Sequence, residues 1–266
     1  LITIGKVLGV LRATIASRFA YLGEMLLRTT FLVFILYTFS QLWATTNRTN
    51  NVAVITGFTV AQMIWYLAFT EAIITSGMPE RDTEVDREVR SGDIAYRLIR
   101  PLAYPLHHLG AELGERLPRF AVNLVVGAGI ALVVAGPVRL VPLAVVAAIV
   151  SVLIAFLVDF VWRFSISLLS FWIEDTYGLH LLYRRFLMLL GGMLIPLEAY
   201  PERVAAVLRL LPFQYLVYQP ARIFVLGDIS AWPRVVLAQI LIAVVGLVPL
   251  LLIYRFGLRR VAAQGG

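Results

Sequence analysis

The run VPLAVVAAIVSVLIAFLVDFVW, residues 141–162, holds one charged side chain in 22 positions. A helix of roughly 20 apolar residues crosses the hydrocarbon of a bilayer, and a helix without a polar face has no stable place at a water interface. FLVFILYTFSQLWA, FAVNLVVGAGIALVVAG and VVLAQILIAVVGLVPLLLIY repeat the pattern. The whole chain agrees: 60% of its 266 residues are hydrophobic, 15% are charged, and the mean hydropathy is +0.86. Soluble domains carry about 25% charged residues. Lipid offers no hydrogen bonds to an open backbone, so the expected class is an all-α integral membrane protein forming one transmembrane domain over residues 1–266.

The net charge is +7, from 23 basic side chains against 16 acids. A nucleic-acid interface gathers its basic residues into a patch or stripe, whereas here the arginines flank apolar spans. With no cysteine, disulfides, thiolate metal sites and cysteine catalysis are excluded. His107, His108 and His180 form no HExxH, and GxxxxGK[ST], GxSxG and DxDxDG are absent. No catalytic, cofactor-binding or metal-ligating set emerges. The opening LITIGKVLGVLRATIASRF lacks a cleavage pattern after a basic start and is not read as a signal peptide.

Six spans are expected: residues 25–43, 54–75, 120–135, 141–171, 181–197 and 235–254. Residues 1–25 read as an interfacial helix, with Thr3, Lys6, Thr14, Ser17, Tyr21, Glu24 and Arg28 in one stripe; the alternative is the first turns of a long spanning helix. With both termini inside, 17 of the 23 basic residues lie at the cytoplasmic face and 6 outside, as the positive-inside rule requires. The triplet Asn47 to Thr49 then falls outside, where a glycosylation acceptor would be reached. Between spans five and six, residues 198–232 carry short apolar pieces at Val204 to Leu211 and Tyr215 to Tyr218. Pro196, Pro201, Pro212 and Pro220 punctuate the region. An external re-entrant helical hairpin is expected, a collapsed loop being the alternative.

The charge is concentrated in the cytoplasmic segment of residues 77–101. From Glu80 to Arg100, 11 of the chain's 39 charged residues fall in 21 positions. Asp86 with Arg90 and Asp93 with Arg97 stand at i and i+4, acid first, the favourable order on a helix. Ser91 or Asp93 is placed to cap a second short helix from Ile94, and Pro101 ends it. Val85, Val89, Ile94, Leu98 and Ile99 give the two helices an apolar side with which to dock. The other reading is a solvated turn between spans two and three. Within span four, Asp159 and Arg163 form a further i, i+4 pair, read as a structural intramembrane ion pair or a proton relay. Glu71 and Arg28 stand at neighbouring inner ends, able to pair or snorkel.

EVRSGDIAYRLIRPL after span two, FWIEDTYGLHLLYRRF between spans four and five, and LIPLEAYPERVAAVLRLLPFQYLVYQPARIF beyond span five together resemble the permease subunits of type-2 ABC transporters, in particular a bacterial single-domain, six-helix exporter branch. The resemblance implies a cytoplasmic coupling helix between spans two and three and a permease working beside an identical or homologous second permease. It also implies two separate ABC ATPase subunits, which carry the ATP and Mg, and residence in the bacterial plasma (inner) membrane. Asp86, Glu88, Arg90, Asp93, Arg97 and Arg100 are the residues expected at the ATPase contact. The scattered polar groups of the spans favour an apolar or amphipathic, lipid-like or drug-like cargo. A self-contained carrier or channel and an intramembrane enzyme are the competing functions. An enzyme would gather acids, histidines or a nucleophile at one depth, and a carrier would show matched interrupted helices.

Overall fold

The computed structural model describes residues 2–19, 22–49, 57–77 and 79–264, and among them there is no strand. The helices are α1 (Ile2–Phe19), α2 (Leu22–Thr49), α3 (Val60–Thr75), α4 (Pro79–Asp82), α5 (Glu84–Ser91), α6 (Ile94–Leu98), α7 (Tyr104–Ala135), α8 (Pro142–Ser167), α9 (Tyr177–Leu190), α10 (Glu202–Leu210), α11 (Tyr218–Leu226) and α12 (Trp232–Gln264). The 32 residues of α7, the 30 from Pro142 to Phe171 and the 29 from Trp232 to Arg260 are long and apolar enough to cross a membrane. Leu32–Thr46 of α2 and all of α3 are shorter apolar helices.

Two groups of helices share a common centre. Helix α7 packs along α1, α2 and α3, while α8 packs along α11 and α12. Helix α3 joins them, because every residue from Met63 to Ile73 is buried. Its start is fixed by a capping box: Gln62 N–H donates to the Thr59 hydroxyl at 3.2 Å, and Thr59 N–H to Gln62 Oε1 at 2.9 Å. Such a cap contributes about 1 kcal/mol. Phe69 on α3 stacks on Phe224 of α11 with centroids 4.2 Å apart, which locks the two groups together.

Helix α1 lies against the start of α7 because Gly110 and Gly114 leave room for it. A Cβ on Gly114 would sit 2.7 Å from the Thr14 Cβ. Thr14, assigned by periodicity to a surface stripe, is therefore turned towards α7, while Ile4 and Leu8 are exposed. Tyr21 and the side chains of Glu24 and Arg28 lie outside the described residues, as do the side chains of Asn47 to Thr49.

Several boundaries differ from expectation: α3 starts at Val60 rather than 54, and α2 and α12 run beyond both ends of their expected spans. Helix α7 begins at Tyr104, so span three carries a polar extension ahead of residue 120. The fifth helix runs from Tyr177 to Leu190 rather than over residues 181–197, ending where Gly191 and Gly192 interrupt it. The carbonyls released by that break are satisfied from α3: the Tyr66 hydroxyl donates to Gly192 O, and the Thr70 hydroxyl to Met193 O at 2.9 Å. Irregular backbone is tolerated at membrane depth where protein supplies these bonds.

Residues 198–232 are helical rather than a collapsed loop. Pro196 precedes the 3-10 turn Leu197–Ala199, Pro201 precedes α10, and Pro212 opens the 3-10 turn Pro212–Tyr215. The second helix is α11, farther along than the piece Tyr215 to Tyr218, because Pro220 sits in its first turn, where a missing N–H costs nothing. Glu198 ties the start of this region to α11, accepting from the Tyr218 hydroxyl and lying 3.5 Å from Arg222.

Candidate coupling surface and the ion network beneath it

The charged segment folds as α4, α5 and α6, with Gly92 between the last two at φ +80°, a conformation that a Cβ would strain. It docks by its apolar side. Val85 and Ile94 are buried in one cluster with Tyr104 of α7, Phe160 and Phe164 of α8, Leu168 and Phe171 of the 3-10 turn that follows α8, and Leu250 of α12, with Val89 and Leu98 packed around them. Ile99, expected on this apolar side, is instead 82% exposed, and Tyr96 is 73% exposed.

Two of the carboxylates expected at the ATPase contact, Asp86 and Glu88, point inward. Asp86 is 0% exposed. Its oxygens accept the Thr176 N–H at 2.9 Å and the Thr176 hydroxyl at 2.8 Å, at the residue that precedes α9. A carboxylate there satisfies an otherwise unpaired donor and meets the positive end of the helix dipole. Glu88 is 6% exposed. The Tyr104 hydroxyl of α7 donates to it at 2.7 Å, Arg97 pairs with it at 3.0 Å, and His108 Nε2 is 3.4 Å away. Burial opposes ionisation of Glu88, yet the His108 ring, the Tyr104 hydroxyl and the Arg97 charge outweigh it and hold its pKa below the usual 4.5. Both carboxylates are engaged by partners within the chain.

Neither i, i+4 pair forms as spaced. Arg90 donates Nε to the Asp86 backbone carbonyl at 3.3 Å instead of its carboxylate, and Arg97 takes Glu88 instead of Asp93. Asp93 accepts from the Ser91 hydroxyl at 2.8 Å, and no side chain caps α6. The outward face is made by Arg90, Asp93, Tyr96, Ile99 and Arg100, all exposed. Pro101 O accepts from Lys6 Nζ at 3.0 Å, tying the end of the segment to α1.

Asp82, at the end of α4, joins the segment to a buried ion network. Arg163 of α8 donates to Asp82 at 2.8 Å, to Asp159 at 3.0 Å, and to Glu112 of α7. Asp159 also accepts from Arg116 of α7 at 2.5 Å and from the Tyr183 hydroxyl of α9 at 2.9 Å. On the same side, Arg81 bridges Glu84 at 2.8 Å and Glu115 at 2.6 Å. The Asp159–Arg163 pair is thus one edge of a network spanning α4, α7, α8 and α9. Its arrangement has no nucleophile or acid–base pair aimed at an empty reacting position, and no described group of three His, Asp or Glu side chains stands ready for a metal ion. Glu71 is buried on α3, and the side chain of its expected partner Arg28 lies outside the described residues.

The network members Asp82, Glu112, Arg116 and Tyr183, and the Asp86 partner Thr176, did not stand out in the sequence. Glu112 and Arg116 carry a usable signal, an i, i+4 charge pair on a helix that continues into an apolar span. Thr176 and Tyr183 carry none, because their partners are 90 and 24 residues away.

A family model described as ABC-2 family transporter protein matches residues 19–265. No curated protein and no solved structure matches the chain.

Proposed function

From the premise that the chain belongs to the ABC-2 transporter family, as a membrane permease of an ABC transporter, we propose that it forms half of an exporter's translocation path and is driven by separate ATPase subunits. In this reading six spans cross the bacterial inner membrane with both termini in the cytoplasm. A second permease, identical or homologous, completes the path. Two ATPase subunits dock beneath, on the outward face of α5 and α6.

The observation that carries the reading is the two-sidedness of the charged segment. Asp82, Asp86 and Glu88 fasten it to α8, α9 and α7 respectively, while Arg90, Tyr96, Ile99 and Arg100 face outward. A displacement applied to the outward face is thereby delivered to three membrane helices at once. The ATPase can switch the permease only through contacts that differ between its nucleotide states, and a rigid docked segment supplies the lever for them. ATP and Mg belong to the partner, and this chain contributes the mechanical part.

The test is copurification with an ATPase subunit encoded beside the gene. A stable complex with nucleotide-dependent transport supports the reading. A chain that transports in vesicles without any nucleotide-hydrolysing partner would instead be a self-contained carrier or channel.

A further inference from the structure

A cavity of about 550 Å³ opens beside the ion network, walled by α3, α7, α8 and α9 together with Asp82. Its volume is that of a small-molecule site, roughly 300–1,000 Å³. Five arginines line it, Arg116, Arg119, Arg163, Arg184 and Arg185, against two aspartates, Asp82 and Asp159.

Both acids are already engaged. Asp159 accepts from Arg116, Arg163 and Tyr183, and Asp82 accepts from Arg163. Arg184 forms an ion pair with Asp82 at 3.6 Å, longer than a hydrogen bond, and the exposed Arg185 has no ion pair among the described residues. The wall therefore carries its excess positive charge on α9, where Arg185 has no ion pair among the described residues and Arg184 is paired only at long range. Two guanidinium groups side by side at the mouth of a cavity offer charge-assisted hydrogen bonds to an anion. Beside the arginines, Leu181, Leu187 and Met188 of the same helix and Ile74 of α3 give the lining an apolar part.

We propose that this cavity binds an anionic amphiphile, with a phosphate-bearing head group on Arg184 and Arg185 and its apolar part against Leu181, Leu187 and Met188. The guanidinium fork matches phosphate oxygens two at a time. In the inside-positive orientation the cavity sits at the cytoplasmic end of the spans, level with the head groups of the inner leaflet. That this ligand is the cargo rests on the permease reading; that it binds does not.

The full chain, purified in a neutral detergent, is titrated with dioctanoyl phosphatidic acid, dioctanoyl phosphatidylcholine and sodium phosphate, with binding followed by native mass spectrometry and thermal shift. Phosphatidic acid is expected to bind at least about tenfold more tightly than either of the others. Arg184→Gln with Arg185→Gln should weaken it about tenfold, the scale of losing charge-assisted hydrogen bonds. Arg185→Gln alone changes only an exposed side chain and keeps the test valid where the double variant folds poorly. Arg259→Gln with Arg260→Gln, outside the cavity, should bind as the wild type does. Equal binding of the two lipids, or undiminished binding by Arg185→Gln and the double variant, overturns the site. Sodium phosphate binding as tightly as the lipid overturns the amphiphile in favour of a free anion. Loss of lipid selectivity while an ATPase still copurifies removes this inference alone. Selective lipid binding with no ATPase partner removes the permease reading and leaves the site.

Discussion

The Asp86 carboxylate holds both the backbone N–H and the hydroxyl of Thr176, at 2.9 and 2.8 Å, so the centre of the charged segment caps the start of helix α9. Replacing Asp86 by Ala removes that cap and leaves the Thr176 donors buried. Stability should fall by about 1–2 kcal/mol, with faster hydrogen exchange in the first turn of α9 and little change in α12. ATPase binding should survive, because the side chain does not reach the surface, while transport driven by it falls.

Asp159→Ala strips a buried acceptor from Arg116, Arg163 and Tyr183 at once. Breaking a buried charge network by removing one partner costs about 3–5 kcal/mol. The expected outcome is a lower unfolding temperature and a poor yield of folded protein. Arg185→Gln, on the same cavity wall but exposed, should change neither.

Gly114→Val should dislodge α1. The added side chain meets Thr14, whose Cβ is already 2.7 Å from the position a Cβ would take. Overpacking of this kind costs about 1–3 kcal/mol. Limited proteolysis should cut between α1 and α7 in the variant and spare the wild type.

Acid should loosen the charged segment before the apolar helices. The folded-state pKa of Glu88 is lowered from 4.5, so its contribution is full above about pH 4.5 and is lost as the pH falls through the lower folded value. Hydrogen exchange in α5 and α6 should accelerate in that window, and Glu88→Gln should remove the added pH dependence.

Much of the fold was legible because composition and length act locally. Apolar runs reveal membrane helices without any knowledge of their neighbours, and the charge density, Gly92 and Pro101 mark the two short helices between spans two and three. The partners of the charges were not legible. Asp86 and Asp93 have arginines at the ideal helical spacing, yet Asp86 bonds across to Thr176 and Arg97 takes Glu88. An exposed i, i+4 pair contributes only about 0.2–0.5 kcal/mol, so a buried long-range acceptor wins. Ile99 misled for the same reason: helical spacing gives a face, and only tertiary packing decides whether that face is covered. The early end of α9 depended on Tyr66 and Thr70, far away in sequence, receiving the freed carbonyls.

The two-sided coupling segment is tested most directly by cysteine cross-linking, since the chain has no cysteine of its own. Single variants Tyr96→Cys, Ile99→Cys and Asp86→Cys are each assembled with the ATPase and treated with a short thiol-to-amine cross-linker. Positions 96 and 99 should capture the ATPase, with yields that change on adding nucleotide, and position 86 should not. Capture from position 86, or none from 96 and 99 in an assembled complex, would contradict the account.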